Sequence, residues 1–242
     1  MISSFLLYIF VAIIFFTYSF FETISYEYKL AGYKTNFYPL GISYSNISLS
    51  VCRLLALIFM LSIAFVLDLY SSNRFIFNYK IITFLIPFSF LAGIFIYSVF
   101  RKKIFYRLTK SIFKEKNKGK INDQNNGNFL NFSYKTTKKK NTNVSMMYKI
   151  YLFSMFFFSY IGIPLCVFFA SITIDYRASI LQLIAFFSGM YAFFNTLFID
   201  PILSKNYKSK YFENLYFFLF RIRVIVSVLV PLIIFLLIFF YE

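Results

Sequence analysis

The feature that most constrains this chain is a set of six apolar runs, at residues 5–21, 51–69, 81–100, 150–172, 179–199 and 224–241. A helix crosses a bilayer's hydrocarbon core with about 20 apolar residues. No water is present there to satisfy backbone N–H and C=O groups, so runs of this length have to be helices. Hydrophobic residues make up 60% of the 242 and charged ones only 14%, too little polar surface for a soluble domain of this size. The expected fold is therefore an all-α, polytopic membrane helical bundle with about six transmembrane helices. Residues 1–242 form a single integral membrane domain in this reading.

The first run, "FLLYIFVAIIFFTYSFF", has no basic segment before it and no small-residue cleavage signal behind it. It reads as a retained span and not as a signal peptide. Residues 101–149 carry fourteen Lys and Arg against Glu115 and Asp123, a net +12 of the chain's +16. The positive-inside rule places this basic loop in the cytoplasm, and an even number of spans then leaves both termini outside. Lys29 and Lys34 in the first loop, with Lys205, Lys208 and Lys210 in the fifth, outnumber Arg74, Lys80 and Arg177 on the opposite side. The centre of the basic loop, "KNKGKINDQNNGN", has the composition of a flexible segment. Lysines beside a span are expected to meet anionic membrane lipids, so the loop does not point to nucleic acid.

Several chemistries are set aside by what the sequence lacks. There is no His, the commonest metal ligand and neutral-pH proton shuttle, and Cys52 and Cys166 have no C-x-x-C spacing. No phosphate-cradling Gly loop, nucleophile elbow or intramembrane carboxylate pair is present among only seven Gly and nine acids. The reading is a chain with no cofactor, no metal and no candidate catalytic residues, and so not an enzyme.

Polarity placed where lipid is expected then carries the functional signal. Glu22, Asp68 and Asp200 stand at the ends of apolar runs, where a carboxylate also reaches the headgroups. The second run extends backwards without a break to Pro39, and proline is tolerated in a first helical turn. In one long helix, Ser43, Asn46, Ser50 and Arg53 fall at steps of three, four and three and share a face. Two readings stay open. Either helix 2 starts near Pro39 and the stripe lines a polar path, or it starts near Val51 and an interfacial segment precedes it, with Arg53 anchoring the end. On the first reading the guanidinium needs an anion, which Glu22 supplies without ligand and a phosphate replaces. In the fifth run, Ser188, Tyr191 and Asn195, with Gln182 farther back, form either a second stripe facing the first or ordinary interhelical hydrogen bonds. Asp200-Pro201 is expected to mark a helix end or turn.

The stretch "ETISYEYKLAGYKT" supplies Glu22, Thr23, Ser25, Tyr26, Lys29, Ala31, Gly32 and Thr35, and "SYSNISLSVCR" supplies Ser43, Asn46 and Arg53. Together they resemble the signature of the Amj family, the alternate lipid II flippases of bacteria. That signature has an acidic residue and a Thr near the end of the first span, a basic residue before Ala-Gly, then a Ser and Asn pattern leading to an arginine. Asp68 after the second run, Asp200 and Pro201 in "FIDP", and Arg221 or Arg223 at the opening of the last run extend the resemblance.

The resemblance implies movement of lipid II, the undecaprenyl-pyrophosphate-linked peptidoglycan precursor, from the inner to the outer leaflet of a bacterial inner membrane for cell wall synthesis. Such a substrate has a diphosphate and a bulky hydrophilic headgroup. On charge, Arg53 is the candidate diphosphate contact, with Lys29 and Lys34 gathering the headgroup at a cytoplasmic entrance. Ser43, Asn46 and Ser50 line the path, and Glu22 and Asp200 complete the candidate substrate-binding set. Six spans make a small bundle for so large a headgroup, which a homodimer or a lateral groove with the lipid tail left in the bilayer would accommodate. Two alternatives stand beside this one. The first is a small-solute or ion-coupled secondary transporter using Glu22 and Asp200, and the second a noncatalytic membrane scaffold whose basic loop recruits a cytoplasmic partner.

Overall fold

The structure, a computed structural model, describes residues 2–71, 79–116, 145–173, 175–207, 209 and 211–240. They form seven α-helices: α1 (Ile2–Lys34), α2 (Tyr38–Ser71), α3 (Tyr79–Lys116), α4 (Met146–Ile172), α5 (Arg177–Phe194), α6 (Asp200–Asn206) and α7 (Tyr211–Phe240). A π-helical turn, Asn195–Ile199, joins α5 to α6 without a break. Six helical runs are long and apolar enough to cross a membrane, with α5, the π turn and α6 making one of them. The chain is thus a multi-pass, all-α membrane bundle. The flexible centre expected for the basic loop lies outside the described residues.

The helices run well past the apolar windows that announce them. α1 continues from Phe21 to Lys34 and α3 from Phe100 to Lys116, so residues 101–116 are helical and not loop. In α1 the polar side chains of the extension are satisfied inside the bundle, whereas in α3 Lys102, Lys103, Arg107, Lys110 and Lys114 are exposed and the helix is held by its buried face of Phe105, Thr109 and Ile112. At 33 and 38 residues, α1 and α3 are about 50 and 57 Å long, against a hydrocarbon core of roughly 30 Å. Along the outward face of α3, Phe88, Phe95, Ile96, Val99 and Phe100 are exposed, and the first exposed charge is Lys102. That change marks where the apolar belt ends on one side of the bundle.

α1 is the central helix, packed between α2 and α3. Its C-terminal half is almost entirely buried, and it turns into α2 through a tight corner. Asn36 takes a left-handed conformation with φ of 54°, while the amides of Thr35 and Phe37 donate back to the carbonyls of Ala31 and Gly32 at 3.0 and 2.8 Å. α2 then starts at Tyr38 with Pro39 in its first turn, so the chain takes the longer of the two helix-2 readings. Across the α1–α2 seam, Ser48 donates to the carbonyl of Phe21 at 2.7 Å and the Cys52 thiol lies 3.4 Å from that of Tyr18. On the other side of α1, Ser19 donates to the Phe90 carbonyl of α3 at 2.9 Å. Phe15 packs edge-on against both Phe59 and Phe90, which ties α1, α2 and α3 together.

The corner depends on Gly32 and Gly41, whose backbones nearly touch. A Cβ on Gly41 would lie 2.6 Å from the Tyr28 carbonyl oxygen and 2.9 Å from Gly32 Cα, both backbone atoms that cannot swing aside. Gly189 on α5 has nothing within 4 Å of such an atom. Gly41→Ala should therefore destabilise the chain by about 1–3 kcal/mol, read as a lower unfolding midpoint in detergent micelles. Gly189→Ala should leave that midpoint unchanged or slightly raised.

Candidate functional site

Glu22, Tyr26 and Lys29 are spaced i, i+4 and i+7, so they stack on one face of α1. Glu27 and Lys34, seven apart, form a second row. Each charge in these rows meets a partner from another helix. Glu22 Oε2 is 2.7 Å from Arg223 Nη2 of α7, Glu27 Oε1 is 2.9 Å from Arg101 Nε of α3, and Lys29 Nζ is 2.5 Å from Asp200 Oδ1 of α6. Lys34 is ion-paired with Glu213 of α7. From Glu22 to Lys34 the ladder rises about 18 Å along α1.

The deepest rung is the most elaborate. Arg223 and Glu22 are both fully buried. Arg223 Nε donates to the Tyr160 hydroxyl at 2.5 Å, and that hydroxyl donates to Glu22 Oε2 at 3.1 Å. Arg223 Nη2 also donates to the Ser19 carbonyl at 2.9 Å, and the guanidinium sits 5.8 Å from the centre of the Phe156 ring. Arg223 Nη1 and Glu22 Oε1 have no hydrogen-bond partner among the described residues, so the rung keeps one donor and one acceptor in reserve. One turn along α1, the Tyr26 and Tyr191 hydroxyls are hydrogen-bonded at 2.8 Å, bridging α1 to α5.

The next rung owes its geometry to the π turn. In an α-helix, residues five apart point in different directions. Here the Asp200 amide donates to the Asn195 carbonyl, an i to i+5 bond, and the two side chains come together, Asn195 Nδ2 donating to Asp200 Oδ2 at 3.2 Å. π turns of this kind recur at functional sites because they re-aim one residue without breaking the helix. Asp200 is accordingly held between Asn195 and Lys29, its side chain 31% exposed while that of Lys29 is 2% exposed. The expected helix end at Asp200-Pro201 is not found: Asp200 has φ of −62° and ψ of −42°, and the helix runs on to Asn206. The π register rearranges the backbone bonds around Pro201, whose nitrogen has no proton to give.

The structure separates the residues that the sequence groups together. Ser43, Asn46, Ser50 and Arg53 do share a face of α2, but that face is exposed on the outside of the bundle. α2 packs onto α1 through Ser45, Ser48, Cys52, Phe59 and Ile63, which turns the polar stripe away from Glu22. Glu22 therefore pairs with Arg223 and not with Arg53. Glu22 and Lys29 are interior residues, neither a span cap nor an entrance group, while Lys34 sits half-exposed at the end of the ladder. The fifth-run stripe splits, with Tyr191 and Asn195 buried in the ladder and Gln182 and Ser188 exposed. Asp68 falls within α2, and its side chain lies outside the described residues.

Tyr160, Glu27, Arg101 and Glu213 are members that the sequence did not single out, while Tyr26 entered only through the resemblance and Arg223 only as an alternative to Arg221. One signal was available for the choice between the two arginines. Arg223 precedes Val226, Ser227, Val230 and Ile234 at helical spacing, the buried face of α7, whereas Arg221 lies off that face and is exposed. No protein family, curated protein or solved structure matches this chain.

Removing one partner of a buried ion pair leaves a bare charge and costs roughly 3–5 kcal/mol, whereas removing both leaves no charge unpaired and is often neutral where well-packed apolar residues of similar volume take their place. Glu22→Gln and Arg223→Gln should each lower the unfolding midpoint sharply. The double variant E22Q/R223Q should regain most of that loss, and the coupling read from this cycle in detergent micelles should be at least about 2 kcal/mol.

Proposed function

We propose that this chain moves lipid II, an undecaprenyl-pyrophosphate-linked peptidoglycan precursor, from the inner to the outer leaflet of a bacterial inner membrane. The observation that carries the reading is the convergence of residues far apart in sequence. Glu22, Lys29 and Asp200, three of the positions on which the resemblance to the Amj family rests, join Arg223 in one buried ladder. The positive-inside rule assigns the end of the bundle bearing residues 101–116, Lys34 and Lys205 to the cytoplasm and both termini to the opposite side. On that orientation the ladder starts at the cytoplasmic boundary and leads into the apolar belt.

The chemistry follows from competition between anions. A guanidinium in an apolar interior is never neutral and has to hold an anion, and a diphosphate offers it the same planar, two-pronged contact as a carboxylate. Arg223 and Lys29 are the cations that such a group would address, and Glu22 and Asp200 hold their places when it is gone. Arg223 Nη1 is the donor still free to begin the exchange. Ion-coupled secondary transport is the second reading. Its support is the hydrogen-bonded chain around Glu22, in which the Tyr160 hydroxyl links carboxylate to guanidinium.

The test is complementation of bacteria depleted of their own lipid II flippases, with accessibility of the precursor at the outer surface as the readout. The wild-type chain should restore it. E22Q/R223Q, expected to fold, should lower it by about tenfold or more at equal protein level. Full transport by that double variant would remove Arg223 from the site, and failure of the wild-type chain despite correct insertion would favour the ion-coupled reading.

A further inference from the structure

Arg53 stands out as a cation without a charge partner among the described residues. It is exposed on α2 beside Leu54, Leu57, Ile58 and Leu61, all exposed and apolar. Its depth can be read from the neighbouring contacts. Arg101, at the point where exposed charge begins on α3, is level with Glu27, to which it is paired. Cys52, next to Arg53, is level with Tyr18. From Glu27 to Tyr18 is about 13 Å at the helical rise per residue, so Arg53 lies that much further into the apolar belt.

An arginine facing hydrocarbon is expensive unless it reaches water or an anion. Above it on the same face stands a line of polar residues, flanked by the exposed Ile47. Ser50, Asn46 and Ser43 are all exposed, and since Ser48 is level with Phe21, Ser43 comes out near the level of Glu27, at the belt's edge. Helical side chains lean towards the N-terminus, which directs Arg53 towards Ser50 and Asn46. The stripe is thus a ramp of hydrogen-bonding groups that starts at the charged boundary and ends on a buried-depth cation.

We propose that the outer face of α2 is a docking track for the phosphate-bearing headgroup of a membrane lipid, with Arg53 holding the phosphate and the lipid tails remaining in the bilayer. Charge complementarity selects the occupant: the group has to be anionic, and it has to arrive from lipid, because the flanking residues are apolar and face outwards. The ramp lets a headgroup descend while always meeting a donor or acceptor. The proposal rests on the transport reading above for its purpose, and names the face on which that substrate is first held. It places the headgroup outside the bundle, where six helices impose no limit on its bulk.

The test uses the full chain reconstituted in phosphatidylcholine vesicles with a phosphatidylglycerol probe that carries a photoactivatable diazirine on its headgroup. Adducts on the wild-type chain should map to residues 43–58. They should fall about tenfold in R53Q and partly persist in R53K, with unfolding midpoints unchanged because the side chain is exposed. Equal adducts in R53Q and wild type, adducts spread over other helices, or crosslinks between two copies of α2 in place of lipid would each overturn the proposal. Precursor accessibility in depleted cells separates it from the transport reading. Undiminished accessibility with R53Q would overturn the track and leave the transport reading standing. Adducts lost in R53Q, together with no precursor movement by the wild-type chain, would uphold the track and remove that reading.

Discussion

Charge neutralisation along α1 is the constraint from which the rest of the structure follows. A helix that brings Glu22, Glu27 and Lys29 into a bundle interior cannot exist alone in hydrocarbon. Each charge therefore dictates where another helix has to stand. Arg223 fixes α7, Arg101 fixes α3, and Asp200 fixes the α5–α6 run through its π turn. Ion pairs of this kind add little net stability over apolar packing, but they penalise every arrangement in which one partner is missing. They act as a registry device, setting depth and rotation of four helical runs against one another.

The two polar systems are built in opposite ways. Inside, every charge is matched, and the aromatic side chains of Phe156 and Tyr160 close over Arg223. Outside, the α2 stripe leaves Arg53 without a charge partner among the described residues, with Ser50 donating to the Asn46 carbonyl at 3.0 Å. A matched interior holds the fold, and an unmatched exterior invites a ligand. α1 serves both, its Tyr18 and Phe21 carbonyls accepting from Cys52 and Ser48 of α2 and its Glu22 carboxylate holding Arg223 of α7.

The fold was largely legible in the sequence, because apolar runs and the absence of water leave helices as the only solution. The helix ends were not. Apolarity stops at Phe21 and Phe100, but backbone hydrogen bonding continues wherever side chains find partners in the bundle, and partners are a tertiary property. The same limit explains the site. Glu22, Lys29 and Asp200 could be singled out as costly charges, yet the sequence had no means of telling which cation meets which acid. Arg53 was the nearest arginine in the chain and Arg223 the nearest in space. The Ser43 to Arg53 face was correctly grouped by helical periodicity, which says who stands together but not which way they look. Tyr160 was hidden by abundance, one among 21 tyrosines, while Tyr191 and Tyr26 stood out singly with nothing in the sequence to pair them.

The order of the ladder's partners along the chain sets a schedule for its making. α1 is synthesised before the helices that hold its partners, and Arg101, Asp200, Glu213 and Arg223 follow in that order. Until then Glu22 has no guanidinium, and the half of α1 that carries it is not stable in hydrocarbon. The apolar run of α1 needs no partner, but its charged half waits for its last counter-ion until α7 has been made. α7 is therefore the helix that completes the ladder begun on α1.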